Sequence, residues 1–229
     1  MSTITLTRVT RHGQDVISTE IETVVIAGWA ARDEAAVRHH IDELAALGVP
    51  PPSSVPVFYR VAAQTLTQSN RLSALGGDSS GEVEPVIVAL ADGLWVGLGS
   101  DHTDRKAEVH GIALSKQMCG KVVGTTFWPL AEVADHWDQM ILSSRITVGG
   151  QTALYQEGPL AKLRTPQDLI TKWAGAGGSL PPGTLMFGGT LGAIGGIRPA
   201  DRFDMKLEDP VLGRSLSHGY DIVVLPVVA

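Results

Sequence analysis

The stretch Gly81-Glu82-Val83-Glu84-Pro85-Val86-Ile87-Val88-Ala89-Leu90-Ala91-Asp92-Gly93-Leu94-Trp95-Val96-Gly97-Leu98-Gly99-Ser100-Asp101 decides the reading of this chain. Apolar runs over 86–90 and 94–98 flank Asp92-Gly93, and Asp-Gly between two such runs is a strong hairpin signal. Glu82 and Glu84 alternate around Val83, so on a strand both point to one face. With Asp92 and Gly93 as the loop residues, Ala91 pairs with Leu94, and counting back sets Glu84 opposite Asp101. Directly opposed side chains share a face, with Cβ atoms about 5 Å apart. Carboxylates that close repel one another. A hard divalent cation with oxygen ligands is the fitting counter-charge. Solvated loop acids are the plainer alternative on spacing alone.

Working outward, the 229 residues suffice for one large or two small domains, and a hydrophobic content of 44% supports a globular core. The net charge is −6, and no basic run exceeds Arg105-Lys106, which argues against nucleic acid as a partner. No apolar run approaches the ~20 residues of a membrane span, and the first residues lack the apolar core of a signal peptide. Cys119 is the only cysteine, so no intrachain disulfide can form. These features predict a soluble cytoplasmic protein. Its 26 glycines and 13 prolines imply many turns, as in a β-rich α+β chain.

Residues 3–8 and 15–26 read as two strands of a hairpin around His12-Gly13. Residues 33–47 read as a helix capped by Asp33, with Val37, Ile41 and Leu44 on one stripe and Gly48 at its end. Pro50-Pro51-Pro52 predicts an extended link, and 55–62 a strand. Residues 130–142 read as a second helix, 146–155 as a hairpin about Gly149-Gly150, and 166–173 as a short helix capped by Thr165. A strand over 185–187 breaks at Gly188-Gly189, and 203–207 and 220–228 read as strands around a turn. The predicted organisation is an N-terminal strand–helix–strand portion over 1–75 and a catalytic portion over 76–229, packed as one unit.

With these residues in view, the chain resembles the fumarylacetoacetate hydrolase superfamily over roughly residues 80–210, in particular a compact bacterial branch with no assigned activity. The likeness rests on Glu82-Val83-Glu84, on Ser100-Asp101-His102-Thr103-Asp104-Arg105, on Leu114-Ser115-Lys116-Gln117-Met118, and on the run from Leu180 to Gly195, in that order. The resemblance implies a mixed β-roll with a few peripheral helices, and Mg2+ or Mn2+ bound by Glu82, Glu84 and Asp101. It further implies a homodimer and a small carboxylic-acid substrate of the 2-oxo or dioxo class. The expected activity is hydrolytic C–C cleavage. A lyase (decarboxylase or 2-oxo-enoate hydratase) and a non-catalytic, metal-containing acid binder are the alternatives. The family's general base is a His–Glu pair in a segment like N-Y-x-x-H-x-x-E. The corresponding residues 58–66 keep Tyr59 but have neither the His nor the Glu.

Lys116 is the candidate for stabilising a developing enolate oxygen or for binding the substrate carboxylate, with Lys121 as a competing lysine and a surface lysine as the plainer alternative. Gly189 and Thr190 are candidate substrate-carboxylate contacts, since glycine permits close backbone approach; a bulged strand is the structural alternative. A dianionic acid predicts a pocket mouth lined by Lys116, Thr190 and Tyr59-Arg60. A metal-activated water or His110 would stand in for the missing base. His102 is expected to face away from the metal, Arg105 to brace Asp101 or Asp104, and Cys119 to be a buried small residue. His39 and His40 read as solvated, and His136, Trp137 and Asp138 as packing.

Overall fold

The computed structural model describes residues 1–46 and 51–228. Two sheets pack face to face. The larger one contains β1 (Ser2–Thr10), β2 (Gly13–Ile21), β3 (Thr23–Gly28), β4 (Val57–Val61), β6 (Val83–Leu90), β7 (Gly93–Ser100), β8 (Thr126–Pro129) and β11 (Thr184–Phe187). Their order is β2-β1-β8-β7-β6-β11-β3-β4, with Lys121–Val123 also paired to β7. The second sheet is β10-β9-β12-β13-β5, built from β5 (Arg71–Leu75), β9 (Ile141–Val148), β10 (Gln151–Pro159), β12 (Arg202–Asp209) and β13 (Arg214–Leu225). The main helices are α1 (Glu34–Ala46), α2 (Ile112–Met118) and α3 (Pro166–Ala174). This is the β-rich α+β architecture expected. No helix among the described residues is long and apolar enough to cross a membrane.

The large sheet curls, so its strands bury two different faces. Val86, Val88 and Leu90 meet Ile4, Leu6, Val24, Ile26 and Phe187 inside the curl. Val83, Ile87 and Ala89 point the other way, against Leu142, Tyr155, Phe203 and Leu207 of the second sheet. Burial on both faces explains why β6 reads as a near-continuous apolar run.

The central hairpin forms with a different register from the predicted one. Leu90 pairs with Gly93, which makes Ala91-Asp92 the loop, and Glu84 faces Gly99 rather than Asp101. Gly93 takes φ +135° as the first strand residue, a conformation that glycine adopts freely. Asp92 is fixed from outside by Arg8 Nη1 at 2.5 Å and by the Trp95 indole at 3.1 Å. The slip is by two residues. Because side chains alternate with period two, it leaves every face unchanged.

Other expectations are corrected by long-range pairing. Residues 15–26 are two strands, β2 and β3, separated at Glu22, whose N–H donates to the Gly183 carbonyl; β3 then pairs in parallel with β11. The predicted helix over 130–142 is a helical turn, Leu130–Val133, followed by a 3-10 segment that departs from helical geometry at His136. Ile141 onward belongs to β9. The Asp33 carboxylate accepts from Ala35 N at the start of α1, and Val37 is buried as expected. The predicted helix end at Leu47-Gly48 and Pro50 of the predicted link lie outside the described residues, as do the side chains of His40 and Leu44.

Candidate active site

Alternation on β6 sends Glu82 and Glu84 into the curl of the large sheet. Asp101 follows β7 directly, and its N–H donates to the Glu82 carbonyl at 3.0 Å. The slipped register thus sets Asp101 beside Glu82, with Glu84 one pleat further in. One carboxylate oxygen from each acid lies within 4.8 Å of the others. Glu84 and Asp101 are buried, and Glu82 is partly exposed. Hard oxygen donors so clustered suit a hard divalent cation.

Cationic side chains already compensate part of this charge. Lys116, buried on α2, contacts Asp101 Oδ2 and lies 3.6 Å from Glu82 Oε2. Lys121 Nζ lies 3.0 Å from Asp101 Oδ1 and donates to the His102 carbonyl at 2.5 Å. Arg105 pairs with Glu82 at 3.0 Å and with Glu108 at 3.0 Å. Burial opposes the charge of Asp101, but Lys116 and Lys121 outweigh it and hold its pKa below the usual carboxylate range. Among the described residues no cation makes such a contact with Glu84, although Lys116 is near enough to oppose the shift. Burial first, then Asp101 and Glu82, push its pKa well above the ordinary value. The N–H of Gly189 donates to Glu84 Oε2 at 2.7 Å. Gly189 has φ +90°, and a Cβ there would fall 2.6 Å from that of Ala30, so the position requires glycine.

A cavity of about 370 Å³ opens in front of the acids, lined by Glu82, Glu84, Glu108, Lys116, Tyr59 and Trp29 among others. Trp29 adopts φ +56°, a strained conformation for a bulky residue of the kind that clusters at functional sites. The Lys116 ammonium lies 5.7 Å from the centre of the Tyr59 ring.

The structure brings together Glu82, Glu84, Asp101, Lys116, Tyr59, Gly189 and Thr190 of the sequence candidates. It does not bring Arg60 or His110. Strand alternation turns Arg60 away from Tyr59, and it is exposed, donating to Thr23. His110 ends the 3-10 turn Ala107–His110, exposed, and does not line the cavity; that turn offers Glu108 instead. The polar groups of Gly189 and Thr190 are engaged within the protein. The Thr190 hydroxyl donates to the Val83 carbonyl at 2.7 Å and accepts from Gln156 Nε2 at 2.8 Å. Lys116 and Lys121 both serve Asp101, so they are not competitors. His102 points away, as expected, with Nδ1 2.9 Å from the Tyr220 hydroxyl and Nε2 2.8 Å from Ser79. Burial, with Lys121 and Arg105 nearby, lowers its pKa to about 3, so the ring is neutral. Arg105 reaches Glu82 and Glu108 rather than Asp101 or Asp104.

Sequence reasoning missed Gln156 and Glu108. Gln156 is buried on β10 and accepts from Val83 N at 3.1 Å and from the Ser144 hydroxyl at 2.9 Å. Its amide nitrogen also donates to the Leu191 carbonyl at 2.6 Å. It therefore fixes the acid strand and the glycine loop at once. Nothing local marks a single Gln on a strand for that task.

Comparison with known structures places the fold. A candidate fumarylacetoacetate isomerase/hydrolase from Oleispira antarctica aligns at TM-score 0.66 and 20% identity, covering 94% of this chain and 98% of the other. A candidate fumarylpyruvate hydrolase from Burkholderia cenocepacia aligns at TM-score 0.59 and 18% identity, over 92% of each chain. A 2-keto-3-deoxy-D-arabinonate dehydratase complexed with magnesium and 2,5-dioxopentanoate aligns at TM-score 0.62 and 13% identity, covering 93% of this chain and 78% of the other. No curated protein matches the sequence. The fold is thus that of the fumarylacetoacetate hydrolase family, as the sequence motifs imply. Residues 27–220 match the family described as "Protein of unknown function (DUF2848)", and it is to this family that the chain belongs.

Proposed function

We propose that the protein is a divalent-metal-dependent enzyme acting on a small 2-oxo or dioxo carboxylic acid, and that its reaction is hydrolytic cleavage of a C–C bond. The observation that carries this reading is the clustering of Glu82, Glu84 and Asp101, of which Glu82 and Glu84 line a cavity large enough for a small acid. A like-folded dehydratase complexed with magnesium and a dioxo acid gives further support. Bound there, Mg2+ or Mn2+ supplies Lewis acidity toward the keto and carboxylate oxygens of a 2-oxo acid.

The chain's own groups divide the remaining work. Lys116, held charged by Asp101 and Glu82 against the cost of burial, presents an ammonium to negative charge developing on the substrate oxygen. Gly189 and Gln156 act indirectly. The first fixes a Glu84 oxygen, and the second fixes the strand on which Glu82 and Glu84 stand. Glu108 is the described lining carboxylate outside the triad, and proton transfer falls to it in place of His110. Arg105 orients Glu108 through the 3.0 Å contact. Tyr59 and Trp29 present apolar rings that restrict water.

The homodimer implied by the resemblance and the cytoplasmic setting expected from composition belong to this reading. Light scattering giving a monomer mass would reject the dimer. The activity is tested with Mn2+ and a panel of acylpyruvates, oxaloacetate and 2-oxo-enoates. Two acid products from an acylpyruvate support the hydrolase. Carbon dioxide release or hydration without cleavage makes the protein a lyase. Binding without turnover makes it a binder.

A further inference from the structure

The lining of the cavity sorts by charge. Glu82, Glu84 and Lys116 form a charged end, which we take as the inner one because Glu84 and Lys116 are buried. Apart from Glu108 and the Gly189-Thr190 loop, the rest of the lining is apolar, with Ala27, Ala30, Val37 and Ile112 beside the rings of Trp29 and Tyr59. Among the described lining residues Lys116 is the sole cationic side chain, and Asp101 and Glu82 already engage it. Arg60 is exposed and turned toward Thr23, and Arg105 is committed to Glu82, Glu108 and Ser80 without lining the space. Among the described lining residues the one further charge is the carboxylate of Glu108, which Arg105 also ties to Glu82.

A 2-oxo acid whose carboxylate and keto oxygen sit at the inner end lays its other end along this wall. An apolar side chain there exchanges water for methyl groups and ring faces, which is favourable. A second carboxylate would be stripped of water without a cation to meet it, and would stand near Glu108; burying an unpaired charge is costly. Resting on the function proposed above, we infer that the site takes monoanionic 2-oxo acids with an apolar side chain and selects against 2-oxo diacids.

The test is calorimetric titration of the Mn2+-loaded protein with 4-methyl-2-oxopentanoate and, separately, with 2-oxoglutarate. The two acids have the same backbone length and differ in an apolar against a charged far end. The branched monoacid is expected to bind about ten-fold tighter or better, as one well-placed apolar contact allows. Equal or tighter binding of 2-oxoglutarate overturns the inference and leaves the proposed function standing. Failure of Mn2+ to bind overturns both. Mn2+ binding with neither acid bound overturns the inference. As a second arm, Ile112→Arg should move the affinity ratio about ten-fold toward 2-oxoglutarate by placing a cation on the wall. A folded Ile112→Arg protein with an unchanged ratio overturns the assignment of this wall. Should that variant not fold, Ile112→Lys, whose flexible stem reaches solvent more easily, is read in the same way.

Discussion

At the scale of single residues, Glu84 and Asp101 are buried carboxylates with opposite solutions to burial. Asp101 is held by two lysines, whereas Glu84 accepts a backbone N–H and has acids for neighbours. Glu84→Gln keeps an acceptor for Gly189 and removes one charge from the cluster. We expect the metal-free variant to melt no lower than the wild type, while Mn2+ affinity falls by at least ten-fold, in line with the sensitivity of such sites to their donors. Calorimetry and thermal melts of the metal-free protein check this, and an equal loss of stability with and without Mn2+ would assign Glu84 a structural role. The convergence of these acids was legible in the sequence although the register was not. A slip of two preserves side-chain faces, so the argument from alternation survived a wrong pairing. Glu108 and Gln156 were not legible, because their roles depend on which distant segment they meet.

At the scale of elements, Gln156 joins β10 to β6 and to the loop after β11. Gln156→Leu keeps the bulk but strands the Val83 N–H, the Ser144 hydroxyl and the Leu191 carbonyl. The loss should be about 2 to 3 kcal/mol, the usual penalty for buried polar groups left unmatched. Urea unfolding measures it, and a parallel fall in Mn2+ affinity would confirm that the brace sets the spacing of the acids. A second anchor lies at the turn between β12 and β13. Asp209 there is buried and accepts from Val211 N at 3.2 Å and Leu212 N at 3.1 Å, with Arg214 Nε at 3.2 Å and His136 Nε2 at 3.0 Å. Burial opposes its charge, but Leu212 N–H, His136 and Arg214 lower its pKa overall. A depressed folded pKa means that the stabilisation is present above the unfolded value, about 3.9, and is lost as pH falls through the folded value. Asp209→Asn should therefore cost about 2 kcal/mol at neutral pH. The gap to the wild type should narrow in acid below about pH 4, as read by urea melts at both pH values. Helix α3 was legible because its signals are local: Thr165 accepts from Asp168 N at 3.2 Å and Pro166 opens the helix. The helix read over 130–142 failed because β12 claims Ile141 and Leu142 as strand partners, and tertiary pairing overrides local periodicity.

At the scale of the whole molecule, both sheets draw strands from the two ends of the chain. In the larger one β3 pairs with β11 and β1 with β8; in the second β5 pairs with β13. A fragment comprising 76–229 would leave the edges of β8, β11 and β13 unpaired. We expect it to aggregate or to lack a cooperative unfolding transition, since open edges are templates for association. Co-expression with 1–75 should restore a soluble complex. Cooperative folding of 76–229 alone would divide the chain where we do not. The sequence motifs cluster after residue 80, which made the second portion legible as the one that carries the acid cluster. They carried no sign that β3 and β4 would finish its sheet, because strand partnership across that distance leaves no local pattern.

The two lysines around Asp101 have a consequence for how the protein is made. In small metal-folded domains the ion completes the structure, and the chain waits for it. Here Lys116 and Lys121 already pair with Asp101, so we expect the chain to fold without waiting for an ion. A chelator-stripped sample should keep its shape and accept a different ion afterwards. On the proposed function, the cation taken up in a cell would then be set by what the surroundings supply after folding has finished, rather than by what was present while the chain emerged.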